Sequence, residues 1–476
     1  MFNDKIDSVY FLMFPGWETE MRSNRWHFIT RWAEICPVTI IQPTLLYPTS
    51  EPICNIETRI PNTRILRIQS VRSSPFFDDE TQIEIQLAQV VCDMVLHSYT
   101  HTLLWTYNPQ LCHLHKRLPA IYRVFHATED YFRFPNLPAS FLDLLVLTLQ
   151  SSDLVVAVSI GVSESIKNNA SPQLLLTQSN GCDFNFYALQ DKKTQSMGLK
   201  RLGARVAIFA GNINSRLDFE LLEALYKALP DTQLVFFGPV IIAERKDKQS
   251  WARLCRASNF HYLGIATPEQ LKCLYAEADV GLIPYRASPV ITESGFPLKA
   301  LEMAATGLPV VTTYMKPLQQ LAHAIIVTQN RTSFVAAVRS TDRDKLSDKL
   351  LSELTSVAAS FSYDKKFHSI LLSIGNDWDV RKLTYTRQES QPELLQLRRV
   401  AEATLKKYDL RTAYDVDWFS RAAFRKLFTR CLVFFWIAKV NAFRLARATL
   451  TVASVGRPKI FDPLQTISIR SRSSRT

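Results

Sequence analysis

The chain is 476 residues long, too long for one ordinary core, so we expect two large domains plus additional segments. Its 47% hydrophobic and 21% charged residues are typical of a folded globular protein and exclude a chain that is disordered throughout. The net charge of +12 is concentrated at the C-terminus, where residues 421–476 contain twelve Lys or Arg and one acidic residue. The rest of the chain is therefore nearly neutral, and the basic character belongs to the tail.

The cysteines and the N-terminus bear on the compartment. Eight cysteines are scattered without a C-x-x-C pair or an even spacing, which indicates neither a disulfide framework nor a zinc ribbon. Residues 1–7 lack the basic stretch and long apolar segment of a secretion signal, and no stretch is apolar enough for a membrane-spanning helix. We therefore expect a cytoplasmic protein with reduced thiols.

Residues 1–190 alternate between short apolar runs and longer amphipathic stretches. The runs that predict strands are SVYFLMF, VTIIQP, TLLWTY, AIYRVFHA, DLVVAVS and QLLLTQS, and RWHFITRWAEI predicts a helix. Strands that alternate with helices indicate a parallel sheet with crossover helices. Residues 191–204 are charged or small and have no apolar periodicity, so they are predicted to form an interdomain linker.

The same pattern starts again in residues 205–383. Strands are predicted in RVAIFAG, TQLVFFG, DVGLIPY and LPVVTT, and helices in DFELLEALYKAL, EQLKCLYAEA and PLKALEMAATG. The chain is therefore predicted to be an α/β protein with two tandem Rossmann-like, doubly wound domains, 1–190 and 205–383. Such folds bind ligands at the carboxyl ends of their parallel strands.

The densest group of small and polar residues lies in the range 281–311. Gly295 and Pro297 suit a loop that leads into a helix, whose first turn offers free N–H groups and the positive end of the helix dipole. Lys299 lies in that first turn, where a cation is unfavourable by roughly a few tenths of a kcal/mol unless an anion is bound. The segment therefore predicts a phosphate site.

Glu302 follows Lys299 by three residues on the same helix face. A carboxylate at this position is able to accept two hydrogen bonds from a ribose diol while the lysine binds phosphate. The alternative is an exposed ion pair that contributes only about 0.2–0.5 kcal/mol. The surrounding loop, strand and small residues favour the binding role.

The run from Pro297 to Val311, P-L-K-x-x-E-x-x-A-x-G-x-P-V-V, resembles the nucleotide-binding signature of family 4 (group 1) glycosyltransferases of the GT-B fold. It is most similar to the branch with teichuronic-acid-type enzymes, and further similar segments extend the resemblance to about residues 8–383: 153–165, 179–187, 210–225, 234–240, 261–286 and 377–383. The resemblance implies transfer of a sugar from a nucleotide-sugar donor to a polysaccharide or glycolipid acceptor in cell-surface glycan biosynthesis. The first domain would hold the acceptor and the second the donor.

The resemblance also implies roles for individual residues. Lys299 and Arg216 would contact the donor diphosphate, Glu302 the ribose, and Gly211 would let the backbone approach the donor. No cofactor and no metal ion are implied, because the nucleotide sugar is itself a substrate. Family members often have two glutamates separated by seven residues, whereas Glu293 and Glu302 are separated by eight. A sugar-contacting role for Glu293 is therefore left open.

In the first domain, HATEDYFRF follows the predicted strand AIYRVF. Asp130 is the candidate acceptor-activating base or substrate-orienting group, with His126 and Glu129 as alternatives. Asp130 is equally an ordinary choice for a helix N-cap. The loop after the first strand carries four residues that suit either acceptor contacts or the polar surface around a helix: Gly16, Arg22, Arg25 and His27.

Other interpretations of the same residues are kept. Arg216 pairs with Asp218 in a surface turn if it does not bind phosphate. Histidine pairs at 97/101 and 113/115 have metal-site spacings, but no additional Cys, Asp or Glu pattern accompanies them, so no metal site is predicted. The displaced Glu293 also suits a non-catalytic GT-B-like protein that binds a nucleotide or a partner. A nucleic-acid partner is not predicted, because no recognised nucleic-acid module accompanies the basic tail.

Residues 384–476 are predicted to form a helical, basic extension with a disordered end. Within 421–450, one uninterrupted apolar octet, CLVFFWIA, spans about 12 Å as a helix, far short of a hydrocarbon core of about 30 Å. Its aromatic and basic residues suit an interfacial helix on an anionic membrane surface, and the alternative is a helix docked on the protein's own core. The first alternative would place the protein peripherally on the inner face of the cell membrane.

Overall fold

A computed structural model describes residues 6–13, 17, 20, 22–43, 55–58, 60–68, 80–97, 99, 101–188, 195–388, 399 and 403. They form two compact units. The first unit contains the described residues up to 181, residues 293–296 and the described residues from 361 onward, and the second contains 182–292 and 297–360. The predicted basic extension beyond residue 388, including 421–450, lies outside the described residues apart from positions 399 and 403.

The first unit is built on an eight-stranded sheet. Its strands are β1 (Ser8–Leu12), β2 (Val38–Pro43), β3 (Asn55–Glu57), β4 (Thr63–Ile68), β5 (Thr102–Thr106), β6 (Tyr122–Ala127), β7 (Leu154–Ala157) and β8 (Leu175–Thr177). Their order is β3-β4-β2-β1-β5-β6-β7-β8, and every neighbouring pair is parallel except β3 and β4. Its first helices are α1 (Asn24–Ala33), α2 (Glu80–Leu96), α3 (Cys112–Arg117), α4 (Ala139–Ser151) and α5 (Ile160–Asn169).

A buried carboxylate fixes α2 to this sheet. Asp93 of α2 is fully buried, and it accepts a hydrogen bond from the Tyr10 phenol at 2.6 Å. Arg64 donates to both of its oxygens, at 2.7 and 2.6 Å. Because a buried charge without partners is strongly destabilising, these bonds hold α2 against β1 and β4.

The second unit is built on a six-stranded, fully parallel sheet. Its strands are β9 (Arg205–Ala210), β10 (Thr232–Phe237), β11 (Phe260–Tyr262), β12 (Val280–Ile283), β13 (Val310–Thr313) and β14 (Ile326–Thr328), in the order β11-β10-β9-β12-β13-β14. Its helices are α6 (Phe184–Tyr187), α7 (Phe219–Ala228), α8 (Arg245–Leu254), α9 (Pro268–Glu277), α10 (Pro289–Ser294, whose last two residues join the first unit), α11 (Leu298–Ala305), α12 (Arg331–Ser340) and α13 (Asp348–Ser360).

The predicted fold class is confirmed. Each of the predicted strands lies in one of the two sheets, with ends that agree within two residues. The strands are buried because helices cover a parallel sheet on both faces, and β1, β5, β7 and β12 have no exposed residue. This burial explains why they are uninterrupted apolar runs in the sequence.

The last described helix, α14 (Tyr363–Gln388), belongs to the first unit, although the predicted second domain extends to residue 383. Its aromatic residues pack on α1. The rings of His27 and Tyr363 stack with centroids 3.9 Å apart, and Trp32 meets Phe367 edge-on at 5.3 Å. The chain therefore returns to its first unit because α1 presents an aromatic face that α14 covers.

Part of the predicted linker is packed onto the second unit. The Glu277 carboxylate accepts hydrogen bonds from the backbone N–H groups of Met197 and Leu199, and Lys200 forms an ion pair with Asp279 at 2.5 Å. Residues 182–188, predicted to end the first domain, also lie in the second unit. None of the helices in the described part of the chain combines the length and the apolar character needed to span a membrane.

Candidate functional site

Glycines shape the carboxyl edge of the second sheet. Gly211 follows β9 with φ 141°, and Gly238 follows β10 with φ 129°. A Cβ on Gly238 would lie 2.1 Å from the Gly211 carbonyl oxygen, so only glycine permits this approach of the two loops. The backbone after β9 therefore carries no side chain of its own at Gly211, which leaves room for a neighbouring group to approach it closely.

Lys299 lies directly at this edge. Its ammonium donates a hydrogen bond to the Tyr285 hydroxyl at 3.0 Å and lies 4.2 Å from the centre of the Phe209 ring. A Cβ on Gly211 would be only 2.2 Å from the Lys299 Nζ. The structure therefore brings Gly211 and Lys299 together.

The helix that carries Lys299 offers further donors. α11 begins after Pro297, which supplies no side-chain cap to the N–H groups of the first turn. Uncapped N–H groups and the positive end of the helix dipole favour an anion at this position. Lys299 and the start of α11 thus have the chemistry of a phosphate site.

Glu302 lies on the same helix in surroundings that oppose its charge. Burial raises the pKa of its carboxyl group to about 7, the Lys299 ammonium counteracts this shift, and the Asp183 carboxylate adds to it. A carboxyl group held in this state is typical of a functional position. Asp183 and the neighbouring buried Cys182 also belong to the second unit.

Arg216 lies on the same β9–α7 loop as Gly211 and is exposed. Its backbone N–H donates to the Asn214 side chain at 3.0 Å, and its carbonyl accepts from the Arg286 N–H at 2.7 Å. The Asp218 carboxylate is engaged by Arg331, at 3.0 Å to each oxygen, and caps α7. Asp218 is therefore satisfied by a different arginine.

Glu293 is assigned to a different unit from the other candidate donor-binding residues. It belongs to the first unit, while Gly211, Arg216, Lys299 and Glu302 belong to the second. Its backbone packs so tightly on α5 that a Cβ added to Gly161 would lie 1.9 Å from its carbonyl oxygen.

In the first unit, His126 is the penultimate residue of β6 and lies in an aromatic environment. It is fully buried, and the rings of Phe28 and Tyr107 lie with their centroids 5.0 and 5.2 Å away. Neither ring nitrogen has a hydrogen-bond partner among the described residues. Burial lowers the pKa of His126 to about 3, which makes it a weak base.

Asp130 is buried and ion-paired. Its Oδ2 accepts hydrogen bonds from Arg133 and from the Ser294 hydroxyl, each at 2.5 Å, and Arg133 also donates to the Ser294 hydroxyl at 3.1 Å and to the Gly161 carbonyl at 2.9 Å. Its Oδ1 is buried without a partner among the described residues. Asp130 precedes a short 3-10 turn but makes no side-chain cap, so the alternative N-cap role is not what the structure shows.

Three of the four candidate residues after the first strand lie among the described residues, and each contacts neighbouring side chains. Gly16 lies outside the described residues. The Arg22 guanidinium lies 4.9 Å from the centre of the Trp26 ring, and Arg25 pairs with Glu20 at 2.9 Å. His27 is buried against α14. Its burial, and to a smaller extent the positive charges of Arg31 and Arg22, lower its pKa well below the usual value.

Two of the four histidines with metal-site spacings make hydrogen bonds within the first unit. His115 is buried between the hydroxyls of Thr106, at 2.6 Å, and Ser152, at 2.9 Å. The His97 ring bonds the Asp93 carbonyl at 2.9 Å. Among the described residues, one carboxylate group has metal-site dimensions, namely Asp279, Asp342 and Asp344. Asp279 precedes β12, at the amino edge of the sheet, and Lys200 already neutralises it.

Together these features define an α/β protein of the GT-B fold with two mostly parallel sheets. Residues 204–354, about a third of the chain, match the family described as glycosyl transferases group 1.

Similar proteins agree with this assignment. The chain is 28% identical over 147 residues to a protein of Bacillus subtilis named putative teichuronic acid biosynthesis glycosyltransferase TuaH. That match spans 31% of this chain and 36% of TuaH, so the chain covers about a third of its relative's length.

Solved structures agree on the fold. Sucrose-phosphate synthase from Thermosynechococcus elongatus is 14% identical, with a TM-score of 0.60 over 79% of this chain and 100% of its own. HepE from Anabaena, solved in complex with UDP, is 16% identical, with a TM-score of 0.56 over 78% of this chain and 100% of its own. At these identities the likeness shows the GT-B fold.

Sequence reasoning did not single out the partners of the predicted residues. In the sequence, Phe209 and Tyr285 fall within predicted strands, and no pattern marks Arg133 or Ser294 as functional. The signal for Tyr285 was its position just after an apolar strand, at the edge where ligands bind.

Proposed function

We propose that this protein is a glycosyltransferase that moves a sugar from a nucleotide-sugar donor to a glycan or lipid-linked acceptor in cell-surface polysaccharide or glycolipid synthesis. The observation that carries the proposal is the meeting of Gly211 and Lys299, with Glu302 on the same helix, inside the group 1 domain. The name of the Bacillus relative supports the biosynthetic setting. HepE, solved with UDP and with UDP-glucose, supports the donor class.

In this proposal the second unit binds the donor. Lys299 and the first N–H groups of α11 hold the diphosphate, and the exposed Arg216 adds a second cation. Glu302 in its charged form accepts hydrogen bonds from the ribose, and Gly211 lets the backbone come close. These groups stabilise the leaving diphosphate, so the proposed reaction calls on no cofactor and no metal ion.

The first unit is proposed to hold the acceptor, with Asp130 as an orienting group. An oxygen already bound by Arg133 and Ser294 is poorly placed to take a proton, while the Oδ1 of the same carboxylate has lone pairs to offer to a hydroxyl. His126 is the less suited alternative because its pKa is about 3. We further propose a cytoplasmic location, with residues 421–450 as an attachment to anionic membrane surfaces.

Ligand-observed NMR tests the donor site. The protein is mixed with UDP-, GDP-, dTDP- and CMP-sugars, and the experiment is repeated with Lys299→Ala, Glu302→Ala and the exposed control Lys345→Ala. We expect one nucleotide class to bind, both site variants to bind more weakly, and the control to match the wild type. A folded wild-type protein that binds none of these donors would contradict the proposal and favour a non-catalytic, partner-binding role.

A further inference from the structure

The ammonium of Lys299 is held by aromatic side chains. It donates to the Tyr285 hydroxyl at 3.0 Å, and the centres of the Phe209 and Tyr285 rings lie 4.2 and 5.3 Å away. Within the described part of the chain no carboxylate forms a salt bridge with Lys299. The nearest acid on its helix, Glu302, interacts with it only through the electrostatic field.

These partners orient the ammonium without cancelling its charge. A ring face and a phenol oxygen attract a cation through partial charges, so the full positive charge stays available to an incoming anion. A carboxylate in the same place would neutralise the lysine and would repel the anion once displaced. The arrangement therefore suits a lysine whose task is to bind a strongly negative group beside Gly211.

Both aromatic residues are fixed by strands. Tyr285 follows β12, and its backbone N–H donates to the Thr313 hydroxyl at 3.2 Å. Phe209 lies within β9, is fully buried, and stacks on Phe236 with centroids 5.1 Å apart. A lysine that packs against such rigid neighbours loses less side-chain freedom when a ligand binds.

We infer that Tyr285 and Phe209 are positioning residues that hold the Lys299 ammonium ready for the diphosphate of the donor nucleotide. The inference rests on the proposed function and deepens it. It predicts that Phe209, Tyr285 and Lys299 increase the affinity for the diphosphate part of the donor and not for its nucleoside part. Phe209 is part of the core, so the hydroxyl of Tyr285 provides the cleaner test.

Titration calorimetry with paired ligands tests the inference. Wild type, Tyr285→Phe, Lys299→Ala and the double variant are titrated with UDP, GDP, dTDP and CDP and with the corresponding nucleosides. We expect Tyr285→Phe to raise the Kd for the preferred diphosphate about tenfold, the size of a lost hydrogen bond to a charged group, and to leave the nucleoside Kd unchanged. In the Lys299→Ala background the same change should have no further effect.

Tyr226→Phe is the matched control, since the Lys227 ammonium lies 5.8 Å from the centre of the Tyr226 ring on α7. It should leave both Kd values unchanged. Wild-type affinity in Tyr285→Phe, an equal loss for diphosphate and nucleoside, or a loss that persists without Lys299 would each overturn the inference. If folded wild type binds no nucleoside diphosphate, the proposed function falls first and the inference falls with it.

Discussion

At the scale of single residues, Glu302 illustrates a conflict between stability and binding. Burial raises the pKa of its carboxyl group to about 7, from an ordinary value of 4.5. Between pH 4.5 and about 7 the carboxyl group is therefore protonated to a greater extent in the folded protein than in the unfolded chain. Above about pH 7 the Glu302 carboxylate is ionised in surroundings that disfavour its charge. The proposed hydrogen bonds to the ribose are a functional reason for a glutamate at this position.

Glu302→Gln should therefore stabilise the fold at high pH. Because the folded pKa is raised, the carboxyl group lowers stability progressively as pH rises from about 4.5 to about 7. We expect the variant to raise Tm by about 2–4 °C at pH 8 and to leave it unchanged at pH 4. Scanning calorimetry at both pH values checks this, and an unchanged Tm at pH 8 would show that the carboxylate is well solvated.

The two buried histidines of the first unit should respond differently to substitution. Burial lowers the pKa of both His126 and His115 to about 3, so each costs stability as pH falls from about 6.5, where the unfolded chain begins to bind the proton. His126→Phe places another aromatic ring beside Phe28 and Tyr107, so we expect its Tm at pH 7 to equal that of the wild type. Between pH 6.5 and 5 the Tm of the variant should fall less steeply than that of the wild type.

His115→Phe is the matched comparison. It leaves the hydroxyls of Thr106 and Ser152 without the imidazole, so it should lower stability by about 1–3 kcal/mol at pH 7. Equal losses in both variants at pH 7 would indicate that His126 has a polar partner outside the described residues.

At the scale of elements, one arginine secures the helix that carries the site. The Arg343 guanidinium donates to the Thr306 carbonyl after α11 at 2.7 Å, and to the carbonyls of Tyr275 and Ala276 in α9 at 2.9 and 2.6 Å. These carbonyls lie at helix ends, where intrahelical partners run out. The Arg343 side chain thus supplies hydrogen-bond donors to the C-terminal ends of both α9 and α11.

Arg343→Ala should lower the stability of the second unit by about 2–3 kcal/mol, because it leaves several carbonyls without a charged donor. Arg343→Lys should recover only part of this, since an ammonium lacks the planar fork of a guanidinium. Arg339→Ala is the control, because the exposed Arg339 makes a single bond to the Ala228 carbonyl. Denaturant unfolding measures all three variants, and equal midpoints for the Arg343 and Arg339 variants would count against this role.

Elements with a strong local pattern were predictable from the sequence, and long-range packing was not. Uninterrupted apolar runs predicted ten of the strands, and the Lys299–Glu302 motif predicted its helix, because period and burial are local properties. The short or polar strands β3, β4, β11 and β14 carry no such run and were not predicted. The assignment of α14 to the first unit depends on aromatic contacts between residues about 330 positions apart, such as His27 and Tyr363, which no local pattern reveals. Tyr285 went unnoticed for a related reason, since an aromatic residue beside a strand looks like core.

At the scale of the molecule, each unit has its own sheet and its own core, so a ligand of one should act mainly on that unit. At about 100 times its Kd, a nucleotide stabilises the unit that binds it by about 2.7 kcal/mol. We expect hydrogen exchange to slow in the β9–α7 loop and in α11, with little change in β1 and β5. Equal slowing throughout the described residues would place the nucleotide elsewhere or show that the units unfold together.

The return of α14 to the first unit also has a consequence for biosynthesis. The aromatic face of α1 is made early, whereas Tyr363 and Phe367 follow more than 300 residues later. At about 5–20 residues/s this interval is roughly 20–70 s, during which the side of Trp32 that packs on Phe367 lacks its native partner. The α1 surface therefore stays accessible until α14 is made, and during that interval it is open to aggregation or to capture by a chaperone.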